Sequence, residues 1–483
     1  MLFNSLTFLI FLPIVFGVYW FALARSVKAQ NVWLLLASYV FYGWWDWRFL
    51  VLIIITSASS YFSGLLLTKD SKHLPFSSRA FRRWVVFGNI CLNIGILGFF
   101  KYYGFFAENL VALFSMVDCS LDAPTLNIIL PVGISFYTFQ SLSYTFDVYR
   151  EKIPATRDVI AFFAFIAFFP QLIAGPIERA ANLLPQMLQK RVFVYSDAVD
   201  GLKRILWGFF KKMVVADNCA IAVNAIWADY TDAGAATLLV GMVLFTFQIY
   251  CDFSGYSDIA IGTAKLFGIR LMENFSLPYF SRSMGEFWRR WHISLMTWLR
   301  DYVYIPLGGS RVGKWRTAVN IIVVFLLSGL WHGANWTFVA WGGYNALLLV
   351  VSRFLLSSQS TDVKNCATWR DIPSVLMTFI LVALGWVVFR SVSITEACDY
   401  LSCMFVALAQ FNIGSLAVGK VALFYCALLV TLEWIQRHEP CPLCLEKYRW
   451  GRYSLARWVV YYVVFFLTFF CRGEEQTFIY FQF

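Results

Sequence analysis

Histidine is the side chain whose ordinary pKa puts its change of charge near neutral pH. A chain of 483 residues with 4 histidines, at 73, 292, 332 and 438, therefore holds few candidates for general acid–base work. His332 stands apart from the others. It lies in Ser328-Gly329-Leu330-Trp331-His332-Gly333-Ala334-Asn335-Trp336, inside an apolar run, where an ionisable group is costly and by default marks a functional site. The plainer alternative is a histidine that ties two helices together by a hydrogen bond. Ser328, Gly329 and Asn335 favour function, because they leave room for a ligand and can orient an imidazole.

Two further clusters could carry chemistry. Tyr250-Cys251-Asp252-Phe253-Ser254-Gly255-Tyr256-Ser257-Asp258 interrupts a long apolar run with two carboxylates. Asp252 and Asp258, six residues apart, would not share a face of one helix unless Gly255 breaks it, so the segment reads either as a solvated turn between two shorter helices or as part of a site. The stretch from Ser281 to Arg316 interleaves Trp288, Arg289, Arg290, Trp291, His292, Trp298 and Arg300. That mixture suits an interfacial helix anchored by tryptophan and anionic lipid, and equally a site for an anionic donor. Clustered arginines match phosphate groups, which coenzyme A and the phosphopantetheine arm of carrier proteins both bear.

The elements that must position these residues are membrane helices. With 60% hydrophobic, 19% aromatic and 14% charged residues, the chain lies outside the range of soluble globular proteins, and helices satisfy their own backbone hydrogen bonds in lipid. The net charge of +11 is explained by basic cytoplasmic loops, so no nucleic-acid partner is expected. The first apolar stretch, Leu6 to Leu23, lacks a preceding basic segment and a cleavage site, and reads as a retained span. Lys69 to Arg83 is basic and expected to be cytoplasmic. Phe106 to Leu126 carries Glu108, Asp118 and Asp122 without Lys or Arg and is expected to face outward, which puts the N-terminus outside.

Arg150 to Arg157 and Arg179 to Lys212 both read as cytoplasmic, yet apolar Val159 to Ala174 lies between them. That conflict, with Pro170, Gly175 and Pro176, predicts a re-entrant hairpin and a candidate cavity wall. Asp197 to Val215 reads as an amphipathic stretch on the inner surface, with Lys203, Arg204, Lys211 and Lys212 among apolar residues. Further spans are expected near 213–228, 234–268, 317–334, 335–353, 373–390, 417–435 and 455–471. The fold expected is all-α, a polytopic bundle of about 11–13 transmembrane or re-entrant segments forming one membrane domain over 1–483, with 271–316 a cytoplasmic Arg/Trp-rich loop within it. The 11 cysteines imply no disulfide framework, and His438, Cys441 and Cys444 offer three metal ligands without a fourth, so no metal is expected.

The motifs Met1-Leu2-Phe3-Asn4-Ser5, Pro131-Val132-Gly133-Ile134-Ser135-Phe136, Asp252 to Asp258, Asn274-Phe275, Glu286-Phe287-Trp288-Arg289-Arg290-Trp291-His292 and Trp331-His332-Gly333 occur in an order that closely resembles the membrane-bound O-acyltransferase family. The resemblance is to the branch that contains the alginate O-acetylation membrane subunit and the D-alanyl-teichoic acid transferase. It implies that His332 is the catalytic histidine and that His292 stands at the family's second, His or Asn, position. It also implies a bundle thinned by two funnels, with the acyl donor approaching from the cytoplasm and the acceptor from outside.

On that basis the expected activity is acetyl transfer from acetyl-CoA or an acyl-phosphopantetheine carrier, with no tightly bound cofactor. The acetyl group would pass outward across a bacterial cytoplasmic membrane to a periplasmic or extracellular acetyltransferase partner, with an exported polysaccharide as final acceptor. His332 would act as general base or as an acetylated nucleophile. His292, Trp288, Arg289, Arg290, Arg300, Asp252, Ser254, Tyr256, Asp258 and Asn335 would bind the donor or support the site. A transporter or channel, and a scaffold that recruits an acetylating enzyme, are the rival classes.

Overall fold

The computed structural model describes residues 1–68, 78–118, 126, 128–173, 175–354, 366–407, 418–439 and 442–481. Among them all regular structure is helical, as expected. Lys69, Lys72, Asp122 and Cys441, which entered the charge and cysteine arguments, lie outside the described residues. Five helical stretches are long and apolar enough to cross a membrane: Val27–Leu66, Arg79–Ser115, Ala235–Leu266, Lys314–His332 and Trp369–Arg390. Leu6–Ala22 and Ser454–Phe470 are shorter apolar helices. The chain divides into two compact units.

The first unit comprises residues 1–198 and 263–272. It contains α1 (Leu6–Gly17), α2 (Val27–Asp46), α3 (Leu50–Leu66), α4 (Arg79–Leu97), α5 (Tyr103–Ser115), α6 (Ile134–Tyr149), α7 (Val159–Ala167), α8 (Phe169–Leu172) and α9 (Ala180–Leu188). Serines at 5, 26 and 78 cap α1, α2 and α4 by accepting backbone N–H groups, the favoured chemistry for a helix start. The apolar stretch after residue 158 is interrupted, as its prolines predict, with the break at Phe168 between α7 and α8. The amide side chains of Gln140 and Gln171 both donate to the Phe165 carbonyl, at 2.8 and 2.9 Å, and so satisfy backbone that the break exposes.

The second unit comprises residues 199–262 and 273–483. Its helices are α10 (Tyr195–Phe209), α11 (Asp217–Ala228), α12 (Ala235–Leu266), α13 (Met284–Arg290), α14 (Ile293–Leu299), α15 (Lys314–His332), α16 (Trp336–Phe354), α17 (Ile372–Arg390), α18 (Ile394–Ala407), α19 (Lys420–Ile435) and α20 (Ser454–Phe470), with α10 entering at Val199 and α12 leaving at Gly262. Helix α18 was not among the expected spans. Two expectations are corrected here. Gly255 does not break α12, which runs unbroken for 32 residues, so there is no solvated turn at Asp252 to Asp258. Instead a Cβ on Gly255 would stand 2.8 Å from the Gly208 carbonyl, and one on Gly262 would stand 2.5 Å from the Gly201 carbonyl. These glycines let α10 and α12 touch backbone to backbone.

The second correction concerns the stretch from 197 to 215. Arg204, Lys211 and Lys212 are buried in ion pairs and do not form a solvated cationic face. A wider helical turn at Phe210–Ala216 carries the two lysines inward.

Gly262→Leu or Gly255→Leu should force α10 from α12 and lower the thermal midpoint of the detergent-purified protein, at a cost of about 1–3 kcal/mol. Gly88→Ala, where nothing lies within 4 Å of the added carbon, should leave the midpoint unchanged or slightly raised.

Candidate functional site

The two histidines singled out by sequence come together in the second unit. His332 is the last residue of α15, and after Gly333 to Asn335 the chain enters α16 at Trp336. The reversal is tight because glycines remove the side chains that would block it. A Cβ on Gly329 would meet the Phe338 carbonyl at 2.2 Å, and one on Gly342 would meet the Phe325 carbonyl at 2.4 Å. His332 is 4% exposed and walled by rings: Trp331 at 5.0 Å, Trp341 edge-on at 5.2 Å, Phe389 at 5.5 Å and Tyr480 at 5.6 Å between centroids. His292 lies 6.3 Å away, centroid to centroid.

His292 joins α13 to α14 in a left-handed backbone conformation, φ 43°. That turn is held by Asn274, whose backbone carbonyl accepts the Ile293 N–H at 2.9 Å. Its side-chain oxygen accepts the Ser294 hydroxyl at 2.9 Å and faces His292 Nδ1 at 3.0 Å. The Asn274 amide nitrogen donates to the Ser257 hydroxyl at 3.3 Å, so the oxygen facing the ring is an acceptor and Nδ1 carries the hydrogen. His292 Nε2 is then a bare lone pair, buried and without a partner among the described residues. Burial lowers the imidazole pKa to about 3, which keeps the ring neutral through the physiological range.

The remaining predicted site residues sort into three places. Trp288, Arg289 and Arg300 line a cavity of about 740 Å³ with Met296, Phe325 and Arg353. The indole N–H of Trp288 has no partner among the described residues. Arg290 is turned away from this cavity. It pairs with Glu286 at 2.8 Å and donates to the Ser276 carbonyl at 3.1 Å, which braces α13. Trp288, Trp291 and Trp298 are buried and pack inward, whereas Trp315 in the same stretch is exposed.

Asp252, Ser254, Tyr256 and Asp258 lie along α12 in a network of charges. Asp258 takes Arg204 at 2.8 Å and Lys211 at 2.5 Å, and Lys211 also donates to the Ser254 hydroxyl at 2.9 Å. Arg204 continues to Glu273. Lys212 sits between Asp217 at 2.8 Å and Asp252 at 2.7 Å, with its ammonium 5.7 Å from the centre of the Tyr256 ring. A polar cavity of about 630 Å³ opens beside Arg204, Lys211, Asp258, Asn274 and Arg289. Arg289 and Ile293 line both cavities, so the segment bearing His292 stands between them.

Asn335 serves as a helix cap. Its oxygen accepts the Thr337 N–H at 3.0 Å and its amide donates to the Val392 carbonyl at 2.9 Å, so it caps α16 and ties it to the end of α17. Sequence reasoning gave no role to Asn274, Lys211, Lys212 or Tyr480. Asn274 lay within a quoted motif, and the lysines were read as surface charge. Tyr480 carried no signal, because nothing local links it to a histidine 148 positions earlier. The cysteines are free where described, apart from Cys444, which is disulfide-bonded against expectation.

The His292 imidazole titrates below its ordinary value of 6.5, so between pH 6.5 and 3 the unfolded chain binds a proton that the folded chain refuses. Stability is therefore lost as pH falls through that window. Acidification from pH 7 to 5 should cost about 2 kcal/mol at this position. Thermal melts at both pH values should show a smaller acid loss in His292→Asn, since asparagine also tolerates the left-handed turn.

The description "MBOAT, membrane-bound O-acyltransferase family" matches residues 6–395. The chain is 40% identical over 437 residues to the probable alginate O-acetylase AlgI of Pseudomonas aeruginosa, covering 89% of this chain and 81% of that one. It is 36% identical over 434 residues to the peptidoglycan O-acetyltransferase of Helicobacter pylori, covering 84% and 80%. Against the teichoic acid D-alanyltransferase of Bacillus subtilis the identity is 28% over 286 residues, covering 55% and 70%. This multi-pass membrane protein belongs to the membrane-bound O-acyltransferase family and is an O-acyltransferase.

Proposed function

We propose that this protein moves an acetyl group from a cytoplasmic thioester, acetyl-CoA or an acyl-phosphopantetheine carrier, toward O-acetylation of an exported polysaccharide at a bacterial inner membrane. A periplasmic partner acetyltransferase completes the transfer. The relatives named for alginate and peptidoglycan O-acetylation support the substrate class. The observation that carries the site assignment is the enclosure of His332 by four aromatic rings beside a neutral His292.

In this reading His332 is the general base. It takes the proton of the acceptor hydroxyl as the oxygen attacks the thioester carbonyl, and returns it to the departing thiolate, so an ester and a thiol leave. The aromatic walls keep water from competing for the acyl group. His292, held through Asn274, offers its Nε2 lone pair to a donor N–H and positions the thioester. Trp288, Arg289, Arg300 and Arg353 around the larger cavity bind the anionic donor. Arg290, Asp252, Ser254, Tyr256, Asp258 and Asn335 act at one remove, by holding the helices that carry these groups. The whole chain works as one membrane domain, with 271–316 as its cytoplasmic face.

With purified protein in proteoliposomes, labelled acetyl-CoA and the partner enzyme, His332→Ala should lower transfer by about 10²–10⁴-fold while the protein remains folded. Unchanged turnover in that variant would sink the assignment. Arg300→Ala should raise KM for acetyl-CoA with kcat largely retained, the pattern of a lost binding contact.

A further inference from the structure

We infer that the segment Cys471–Tyr480 is a strap across the histidine pair, and that Lys212 and Asp252 are the positioning residues that hold it there. The strap follows α20 and is fixed at four points to the α10–α12 region. The Asn218 amide donates to the Cys471 carbonyl at 3.0 Å, and the Gly473 N–H donates to the Met213 carbonyl at 2.9 Å. Further along, Lys212 Nζ donates to the Gln476 carbonyl at 3.1 Å, and the Ile479 N–H donates to Asp252 Oδ2 at 2.7 Å. Gly473 is needed for the close approach, since a Cβ there would lie 2.7 Å from the Asp217 carbonyl carbon.

The charge count explains why Asp252 holds backbone. Lys212 is one cation between two carboxylates, Asp217 and Asp252, and all three are buried. A buried carboxylate that shares its counter-ion requires a further donor, and the Ile479 N–H supplies it. None of these three residues lines either cavity, which separates them from donor binding.

What the strap carries gives the tether its function. Phe478 packs on Tyr256 at 4.4 Å, and Tyr480 packs on Phe253 at 4.5 Å and on His332 at 5.6 Å. Phe253 in turn meets His292 edge-on at 4.7 Å. Tyr480 on the strap is thus one of the rings around His332, and the strap's hold governs how that ring wall admits an acceptor and excludes water. The functional half of this inference rests on His332 as the reaction centre, whereas the attachment of the strap does not.

Hydrogen–deuterium exchange on the full-length protein in detergent tests the attachment, and transfer of labelled acetyl from acetyl-CoA tests its consequence. Ile479→Pro removes one N–H at the first position of a short helical turn, where proline is tolerated. Ile479→Ala removes only side chain. A hydrogen bond to a charged acceptor is worth about tenfold or more in a local opening equilibrium. Exchange of strap amides should accelerate by about that factor in Ile479→Pro and Asp252→Ala, clearly less in Ile479→Ala, and not at all in His332→Ala. Transfer should fall in Ile479→Pro without a drop in the global melting temperature.

Strap amides that exchange equally fast in the parent protein and in Ile479→Pro would overturn the attachment, even if Asp252→Ala fails to fold. Lost protection with full transfer would overturn the strap's part in the reaction. Retained transfer in His332→Ala would count against the base assignment alone, because the exchange data stand independently of it.

Discussion

Charge taken out of water must be answered by opposite charge, and that requirement organises the second unit. Arg204, Lys211 and Lys212 enter from α10 and the wide turn after it, and each finds a carboxylate on α12, at Asp258 or Asp252. Removing one partner of such a pair leaves an uncompensated buried ion, which costs far more than the pair itself contributes. The pairs therefore act as a register lock. Glycine contacts at 208 with 255 and at 201 with 262 allow the two helices to come close enough for the lock to close.

Much of what surrounds the histidines is referred to α12. Phe253 packs on His292, and Ser257 accepts from the Asn274 side chain that holds His292 in its left-handed turn. Asp252 fixes the segment that brings Tyr480 against His332. A helix with an apolar face alone would slide or rotate at little cost, whereas one with two carboxylates committed to fixed cations cannot. The precision of an aromatic chamber thus depends on charges one shell away from it.

The surroundings of His292 are apolar, and burial there holds its imidazole neutral. Burial favours the neutral ring, which is the form able to accept a proton or a hydrogen bond. Ordered donors in such surroundings act more strongly than they would in water, because little solvent competes with them. Buried groups without a partner among the described residues, such as His292 Nε2 and the Trp288 indole N–H, are the kind of atom that a ligand satisfies.

Sequence by itself determined the solvent and the helices. Hydropathy and the scarcity of charge announced a membrane bundle, the prolines after residue 169 announced a broken helix, and His332 at membrane depth announced itself by its cost. These are local properties, readable within a window of twenty residues. Tertiary structure decided where the charges go. Lys211 and Lys212 read as charges on the inner surface because a one-dimensional pattern cannot show that Asp258 and Asp252, some forty residues later, face them. The tie made by Asn335 was hidden because the Val392 carbonyl that its amide meets comes from elsewhere in the chain. Tyr480 was invisible for the same reason: an aromatic acquires meaning from what it packs against, and packing partners are chosen by the fold.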